Sequence, residues 1–526
     1  MILELHRETM RNLSMSDHLR VLPFWLLIVS LVSSAVAAAD TPFPLAPSVV
    51  NGARTAGAME VTLAEAILMT LENNRSLAVQ RLTPAMVQSF EEEARAAFDP
   101  VLSAGAATQR TEGPRPPDLD DKQVNKAHEG FIALDTYFPT GTAVLIEASA
   151  GRTDVGWPGD GPHVSRLGVT VSQSLLQGFG RPVNLARLRQ AQVQTRISIY
   201  ELQGFGEALV AGVEHAYWDY ALSLRQIEIV RESLKLAEQQ LADTRAMIDV
   251  GALAQAELPA VQAEVARQRQ GLIDVKNAVD TNRLRLLHLL NPPGRQWWDR
   301  EVTLAHPPVI PQVFIDEASV YVDEGFRRRP EVNQAHLEIN RGELEVVQTK
   351  NGLLPRLELF VNLGKSGYAS SFGGAFRDLD SDHYDARVGV ALEYPLLNRG
   401  AKARYRRARL GREQAEKALD NLRQLVEMDI RIAHLEVNRT REQISASGAT
   451  RQWQEEKLRI ETEKFRVGRS TNLLVAQAQQ DLLVSRIDEV RAVVDYLKSL
   501  TDLYRSEGTL LERRGIDIPS SAEADF

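Results

Sequence analysis

The 526-residue chain has a formal net charge of −9, with 70 Asp and Glu against 61 Lys and Arg, 6% aromatic residues and no cysteine. Without cysteine there can be no thiol nucleophile, thiolate-held zinc, iron–sulfur cluster, disulfide framework or cysteine-linked lipid anchor, and the acidic balance argues against a nucleic-acid partner. The 44% of hydrophobic residues suffices for a core, and the low aromatic, Ala-, Leu-, Glu-, Arg- and Gln-rich make-up leans helical.

Residues 1–39 read as a secretory signal peptide. Arg7, Arg11 and Arg20 precede an apolar run from Val21 to Val32, and small residues then lead to Ala35-Val36-Ala37-Ala38-Ala39-Asp40. Cleavage is expected after Ala37 or Ala39. About twelve apolar residues are too few to span a bilayer, and no later run reaches the roughly 18 that a transmembrane helix needs. Entry into a membrane after export must therefore use strands.

The rest of the chain is an internal duplication. Leu354-Pro355-Arg356-Leu357 echoes Asp99-Pro100-Val101-Leu102 at an offset of 255 residues. Further on, Ala433-His434-Leu435-Glu436 echoes Ala216-Tyr217-Trp218-Asp219, and Val467-Gly468 echoes Val250-Gly251, both at 217. The expected organisation is a collar segment over 40–74, a first structural repeat over 75–291 and an equatorial connector over 292–329. A second repeat over 330–512 and a tail over 513–526 complete it. The connector is rich in proline (Pro292, Pro293, Pro307, Pro308, Pro311).

Within each repeat one stretch, Val183–Asp249 or Ala401–Val467, lacks proline and keeps helical apolar spacing. Each predicts a helix of about 100 Å at 1.5 Å per residue. Such helices cannot bury a face alone and must pack against neighbours as in a coiled coil. The segments 75–97 and 256–290, stacked end to end, nearly match that length. Short alternating stretches point elsewhere: Leu167, Val169 and Val171; Leu357, Leu359, Val361 and Leu363; Val388, Val390, Leu392 and Tyr394 each alternate with polar or small residues. This period of two suits strands of a transmembrane barrel or of a half-buried soluble sheet. The stretches 111–129 and 367–383 read as exposed loops between strand pairs. Four strands cannot close a barrel, so the chain would pool strands with copies of itself.

The order of short helix, strand pair, very long helix, glycine turn and return helix, duplicated behind a signal peptide, resembles the TolC-type outer-membrane factor (outer membrane efflux protein) family. The residues that carry the likeness begin with Val61-Thr62-Leu63-Ala64-Glu65-Ala66, Asn73-Asn74 and Ala94-Arg95-Ala96-Ala97-Phe98-Asp99-Pro100. They continue with Gln173-Ser174-Leu175-Leu176-Gln177-Gly178-Phe179-Gly180, Val250-Gly251-Ala252-Leu253-Ala254, Tyr394-Pro395-Leu396-Leu397-Asn398-Arg399-Gly400 and Val467-Gly468-Arg469-Ser470-Thr471-Asn472. The resemblance implies a mainly α protein with a small β part. Duplicated long helical hairpins would form a trimeric periplasmic α-barrel, topped by a transmembrane β-barrel in outer-membrane lipid. The family pattern gives four strands per chain, or six if an extra hairpin joins.

The hairpin arises because 75 residues separate Pro100 from Leu175 while 41 separate Pro355 from Leu396; the surplus reads as Phe131–Phe138, a Pro139-Thr140-Gly141 turn and Thr142–Ala150. It could widen the barrel, cover it or pack below it. By the same resemblance the protein is a passive conduit for efflux or type I secretion, a homotrimer opened by a periplasmic membrane-fusion adaptor and an inner-membrane pump of RND, ABC or MFS type. The adaptor would dock on the tip turns Val250, Gly251, Ala252, Leu253, Ala254 and Val467, Gly468, Arg469, Ser470, Thr471, Asn472. Gate candidates are Phe465, Ser470, Leu474 and Gln477. Where the best-studied type of member carries acids and an Arg, this chain has Leu474, Gln477 and Ser470, so a charged iris is not expected.

Enzyme readings fail. The ten histidines are dispersed, and no metalloprotease, nucleophile-elbow or P-loop spacing is present. No cofactor is expected. Asp378–His383 starts like a calcium loop but lacks the glycine at position six and the closing Glu, so it reads as an external loop. Trp297-Trp298 is expected to pack in the collar, and Arg327-Arg328-Arg329 to be a solvated charge run. The competing class is an exported coiled-coil scaffold or tether in the envelope, without a conduit.

Overall fold

A computed structural model of the chain describes residues 59–114, 122–154, 161–293, 297–305 and 307–516. The signal segment with Ala37 and Ala39, residues 40–58 of the collar segment and residues 517–526 of the tail lie outside the described residues.

Strand β1 (Met59–Val61) leads into helix α1 (Leu63–Asn73). A capping box starts that helix: Thr62 Oγ1 accepts from the Glu65 amide, and the Glu65 carboxylate accepts from the Thr62 amide. Asn74 caps α2 (Arg75–Gln80), and α3 (Leu82–Arg95) follows after a break at Arg81. The single helix expected over 75–97 is thus two pieces, because Pro84 has no N–H to donate to Gln80.

Four strands come next: β2 (Val101–Pro114), β3 (Lys122–Phe138), β4 (Thr142–Asp154) and β5 (His163–Ser174). A short α4 (Arg181–Asn184) turns the chain into the long α5 (Ala186–Asp249), and α6 (Leu258–Leu290) returns. The connector contributes β6 (Val302–Leu304), paired parallel to β1, and α7 (Ala318–Arg328). The second repeat is α8 (Pro330–Asn351), β7 (Arg356–Ala369), α9 (Phe372–Arg377), β8 (Tyr384–Glu393), the long α10 (Arg399–Arg466), α11 (Asn472–Ser506) and α12 (Leu510–Arg513). With 64 and 68 residues, α5 and α10 each reach about 100 Å.

The strands form one antiparallel sheet in the order β2-β3-β4-β5-β7-β8. Of the four or six strands per chain that the sequence left open, the described residues form six: the extra hairpin is in the sheet, not over or under it. The loop expected over 111–129 also shrinks, since 111–114 and 122–129 are strand. The stretch 367–383 carries the tail of β7 and helix α9 rather than open loop.

Next to the sheet, α3, α5, α8 and α10 stand side by side in that order; at the far end the order is α6, α5, α11 and α10. The neighbours change at a collar where the apolar core is concentrated, built from Val61, Ile67, Val213, Tyr217, Leu286, Leu290, Val302, Tyr321, Ile430 and Leu503 among others. Tyr220 Oη donates to Val302 O (2.7 Å) and Tyr217 Oη to Val61 O (3.4 Å), clamping the two collar strands to α5. Asn291, at φ 43°, closes α6 and donates to Asn73 O (2.7 Å), while Asn74 donates to Leu289 O (3.2 Å). Trp297 packs against this core.

The arginine run is not simply solvated. Arg328 pairs with Glu324 and Glu512, and Arg329 bridges Glu331 and Asp429 across elements. Among the described residues no helix is long and apolar enough to cross a membrane.

Candidate channel wall and tips

Register sorts the sheet residues into two faces, because directly opposed residues share a side. One side runs Leu102, Ala104 (β2); Ile132, Leu134, Phe138 (β3); Val144, Ile146, Ala148 (β4); Leu167, Val169, Val171 (β5); Leu357, Leu359, Val361, Leu363 (β7); Val388, Val390, Leu392 (β8). Many of these are exposed, Val388 at 69% and Leu102 at 70%. The other side carries Glu129, Asp135, Glu147, Arg166, Thr170, Asn362 and Asp385. There Arg166 donates to both carboxylate oxygens of Asp385 (2.5 and 2.8 Å) and to Asn362 Oδ1 (3.0 Å), tying β5, β7 and β8 together. Phe131 lies over Gly105 and Phe360 over Gly389, each pair directly opposed in register. An added Cβ would sit 2.5 and 2.4 Å from those rings, so an aromatic covers each bare glycine backbone. A continuous apolar face backed by a polar one is what a sheet between lipid and water requires.

The sheet is fixed to the helices at the elbow after β5. Asn184 Nδ2 donates to Pro139 O (3.0 Å) and Gly178 O (2.8 Å), and Tyr137 Oη donates to Asn184 Oδ1 (3.1 Å). Gly180 N donates to Thr140 O and Ser174 N to Gly141 O. Gly141 stands at φ +88°, and a Cβ there would lie 2.3 Å from Gly178 O. On the other side, Asn351 Oδ1 accepts from Gly178 N (2.8 Å), and Asn398, at φ 43°, donates to Leu353 O (3.1 Å). The motifs Gln173–Gly180 and Tyr394–Gly400 are therefore the joints between sheet and helix.

At the far end the two tip turns share one geometry. After α5, the Gly251 amide (φ +78°) donates to Ile248 O and the Ala252 amide to Met247 O. After α10, Gly468 (φ +71°) donates to Phe465 O and Arg469 to Lys464 O. Both are Schellman caps. No atom lies within 4 Å of a Cβ built on either glycine, so backbone angle alone calls for glycine there. Val250 (79% exposed), Val467 (69%) and Leu473 (66%) stand out at the tips.

Of the other docking candidates, Ala252, Ala254, Arg469 and Thr471 are exposed and Leu253 and Ser470 half-buried, whereas Asn472 is buried. Asn472 accepts from Gln240 Nε2 (3.1 Å) and donates to Glu257 (3.2 Å), which joins the second tip to the first hairpin. Ser470 donates to Glu461 (2.8 Å), which also pairs with Lys464. Those two bonds, the Lys464 one first, hold the Glu461 carboxyl below its ordinary range. Leu474 and Gln477 share an exposed face of α11, and Phe465 is half-buried. Along the hairpins Lys457 pairs with Asp481 (2.7 Å), Arg269 with Glu238 (2.9 Å), and Arg486 reaches both Glu232 and Glu455.

Sequence reasoning missed a buried acid above the collar. Glu207, 4% exposed, borders a cavity of about 410 Å³ with Arg329, Glu331, Asp429 and Arg505. Burial, helped by the Glu331 charge, pushes its carboxyl up to about 8. Glu207 and Glu214, two turns apart in a stretch of small and apolar residues, were the available signal. In the calcium-like stretch, the Asp378 carboxylate accepts from the Tyr368 amide (2.8 Å) and Ser381 bonds His383 (2.7 Å). That hydrogen bonding gives the stretch a structural use.

The family model for outer membrane efflux proteins matches residues 145–292 and 323–509. The chain belongs to this family. Its localisation follows: an outer-membrane channel protein whose helices extend into the periplasm. Among solved structures it is similar to the Campylobacter jejuni CmeC outer membrane channel, at 13% identity and a TM-score of 0.64, covering 91% of this chain and 98% of that one. CusC, described for its folding and transmembrane channel formation, matches at 14% identity and 0.64, covering 89% and 98%. The open state of the Neisseria gonorrhoeae MtrE outer membrane channel matches at 16% and 0.61, covering 85% and 89%. At these identities the likeness is one of fold. No curated protein matches the chain in sequence.

Proposed function

We propose that three copies of this chain form the outer-membrane conduit of a tripartite efflux or type I secretion machine. A periplasmic membrane-fusion adaptor docks on the tip turns and an inner-membrane pump supplies the cargo. The observation that carries this reading is the pairing of an apolar band running across all six strands with two helices of about 100 Å that end in matching, solvent-exposed turns. The sheet would sit in lipid, its unpaired outer edges closed by the next copy, since lipid leaves no unpaired strand edge tolerable. The hairpins would carry a water-filled path across the periplasm. A soluble tether gives the apolar face nothing to do.

The work is passage rather than covalent chemistry. Docking at Val250–Ala254 and Val467–Thr471 would favour a state in which the return helices α6 and α11 have sheared outward against α5 and α10. Leu474, Gln477, Ser470 and Phe465 would line the aperture, without a ring of acids to select cations.

The chain purified in detergent and added to planar bilayers is expected to run as a heat-resistant trimer and give stepwise ion conductance. A water-soluble, elongated species without conductance would overturn the reading. Gly251→Pro and Gly468→Pro should keep membrane insertion and weaken export; unchanged export in both would remove the docking assignment.

A further inference from the structure

We propose that the hairpin β3–β4 is transmembrane wall, so that three copies close a barrel of eighteen strands, six from each. The membrane segment is then as wide as the helical tunnel below it, and passage is limited at the tips. This rests on the trimeric channel reading above.

Four observations carry it. The ladder is unbroken through the hairpin: β2 pairs with β3 from Val101↔Asp135 to Pro114↔Lys122, β3 with β4 from Phe138↔Thr142 to Lys126↔Asp154, and β4 with β5 from Thr142↔Gln173 to Arg152↔His163. No direct β2–β5 pairing exists in this sheet, so excluding the hairpin would tear it in two. The hairpin is also in phase: Ile132, Leu134, Ile146 and Ala148 continue the apolar face of the flanking strands, while Asp135 and Glu147 continue the polar face. A hairpin lying over the pore would have no use for an apolar band of Ile132, Leu134, Val144, Ile146 and Ala148 in register with that of its neighbours. Its turn is anchored at the elbow through Asn184 and Gly141, level with the lower rim of the wall.

The fourth observation is width. Four helices, α3, α5, α8 and α10, stand beneath the sheet. At 8–10 Å between axes they occupy about 36 Å of arc. Six strands 4.8 Å apart and tilted by about 40° occupy about 38 Å, but four would occupy only about 25 Å. Six strands therefore meet four helices edge to edge, with no taper. Because β2 and β8 run in opposite directions, β8 of one copy against β2 of the next continues the antiparallel alternation. The family match begins at residue 145, inside β4, and so leaves β3 and its turn outside it.

The chain has no cysteine, so a single Val388→Cys substitution on the lipid-facing side gives one spin label per copy. Electron–electron dipolar distances between labels in the trimer read the barrel radius directly. Eighteen strands place equivalent backbone positions about 31 Å apart, and twelve place them about 21 Å apart, with the label arms lengthening both alike. The longer distance, repeated with Ile132→Cys on β3, supports the proposal. The shorter one overturns it while leaving the channel reading intact. No distance between copies at all would mean no trimer, and both would fall.

Discussion

The two repeats agree at one end of the molecule and differ at the other. At the tips, Val250-Gly251 and Val467-Gly468 close their helices with the same pair of amide bonds and nearly the same φ. At the membrane end the first repeat supplies four strands and the second supplies two. The difference has a physical reason. A helix ending in solvent has one economical way to satisfy its last carbonyls, and a left-handed glycine provides it. An antiparallel sheet instead accepts two further strands without penalty to its neighbours. The chain leaves and re-enters at the same edge, and the side chains stay in phase because two strands restore both direction and face. The barrel end can vary in width while the tips stay fixed in geometry.

That contrast can be broken in several places. Gly141→Val should have the largest effect, because the left-handed angle and the carbonyl 2.3 Å from the new Cβ both oppose it. A loss of roughly 3–5 kcal/mol is expected, read as disappearance of the heat-resistant oligomer from membranes. A normal oligomer would mean that the hairpin is not fixed to the elbow.

Glu207→Gln comes next. The second repeat holds Gln424 at the corresponding offset of 217 residues, so the substitution makes the repeats alike. In the folded chain burial raises the Glu207 carboxyl from 4.5 to about 8. Between those values the unfolded chain has released a proton that the folded one keeps. Stability therefore falls as pH rises through that window and levels off above it. The variant should flatten this slope and raise the melting temperature at pH 8, an effect of roughly 3–5 kcal/mol. An unchanged pH profile would place the titration elsewhere.

Gly251→Ala and Gly468→Ala should be the mildest and, more tellingly, equal: about 1–2 kcal/mol each for the left-handed angle, since neither new Cβ meets an atom. Helix melting followed by circular dichroism gives both. A clear inequality would show that one tip is held by contacts the other lacks.

Much of this was legible in the sequence. Proline-free stretches with helical spacing placed α5 and α10 to within three residues at each end, and the shared offsets exposed the duplication. The short helices were less legible, since Pro84 divides the segment over 75–97 only through an absent hydrogen bond. The sheet was only partly legible. Strands rich in Ala, Gly, Ser and Thr, such as Val101–Pro114, carry little alternation, and the charged, polar start of β3 looked like loop. Only pairing against β4 shows that Ile132 and Leu134 continue one face. The tips declared their glycines, but not that Asn472 is buried between hairpins. Nor did the charge run reveal that Arg329 reaches Asp429, a partner 100 residues away.

In the membrane the six-stranded sheet should be a wall between lipid and water. Single cysteines along β4, introduced one at a time at positions 143–148, test it directly in intact outer membranes treated with a membrane-impermeant maleimide. Alternation is expected: Ala143, Leu145 and Glu147 labelled from the water-filled side, Val144, Ile146 and Ala148 protected by lipid. Uniform labelling along the strand would contradict it.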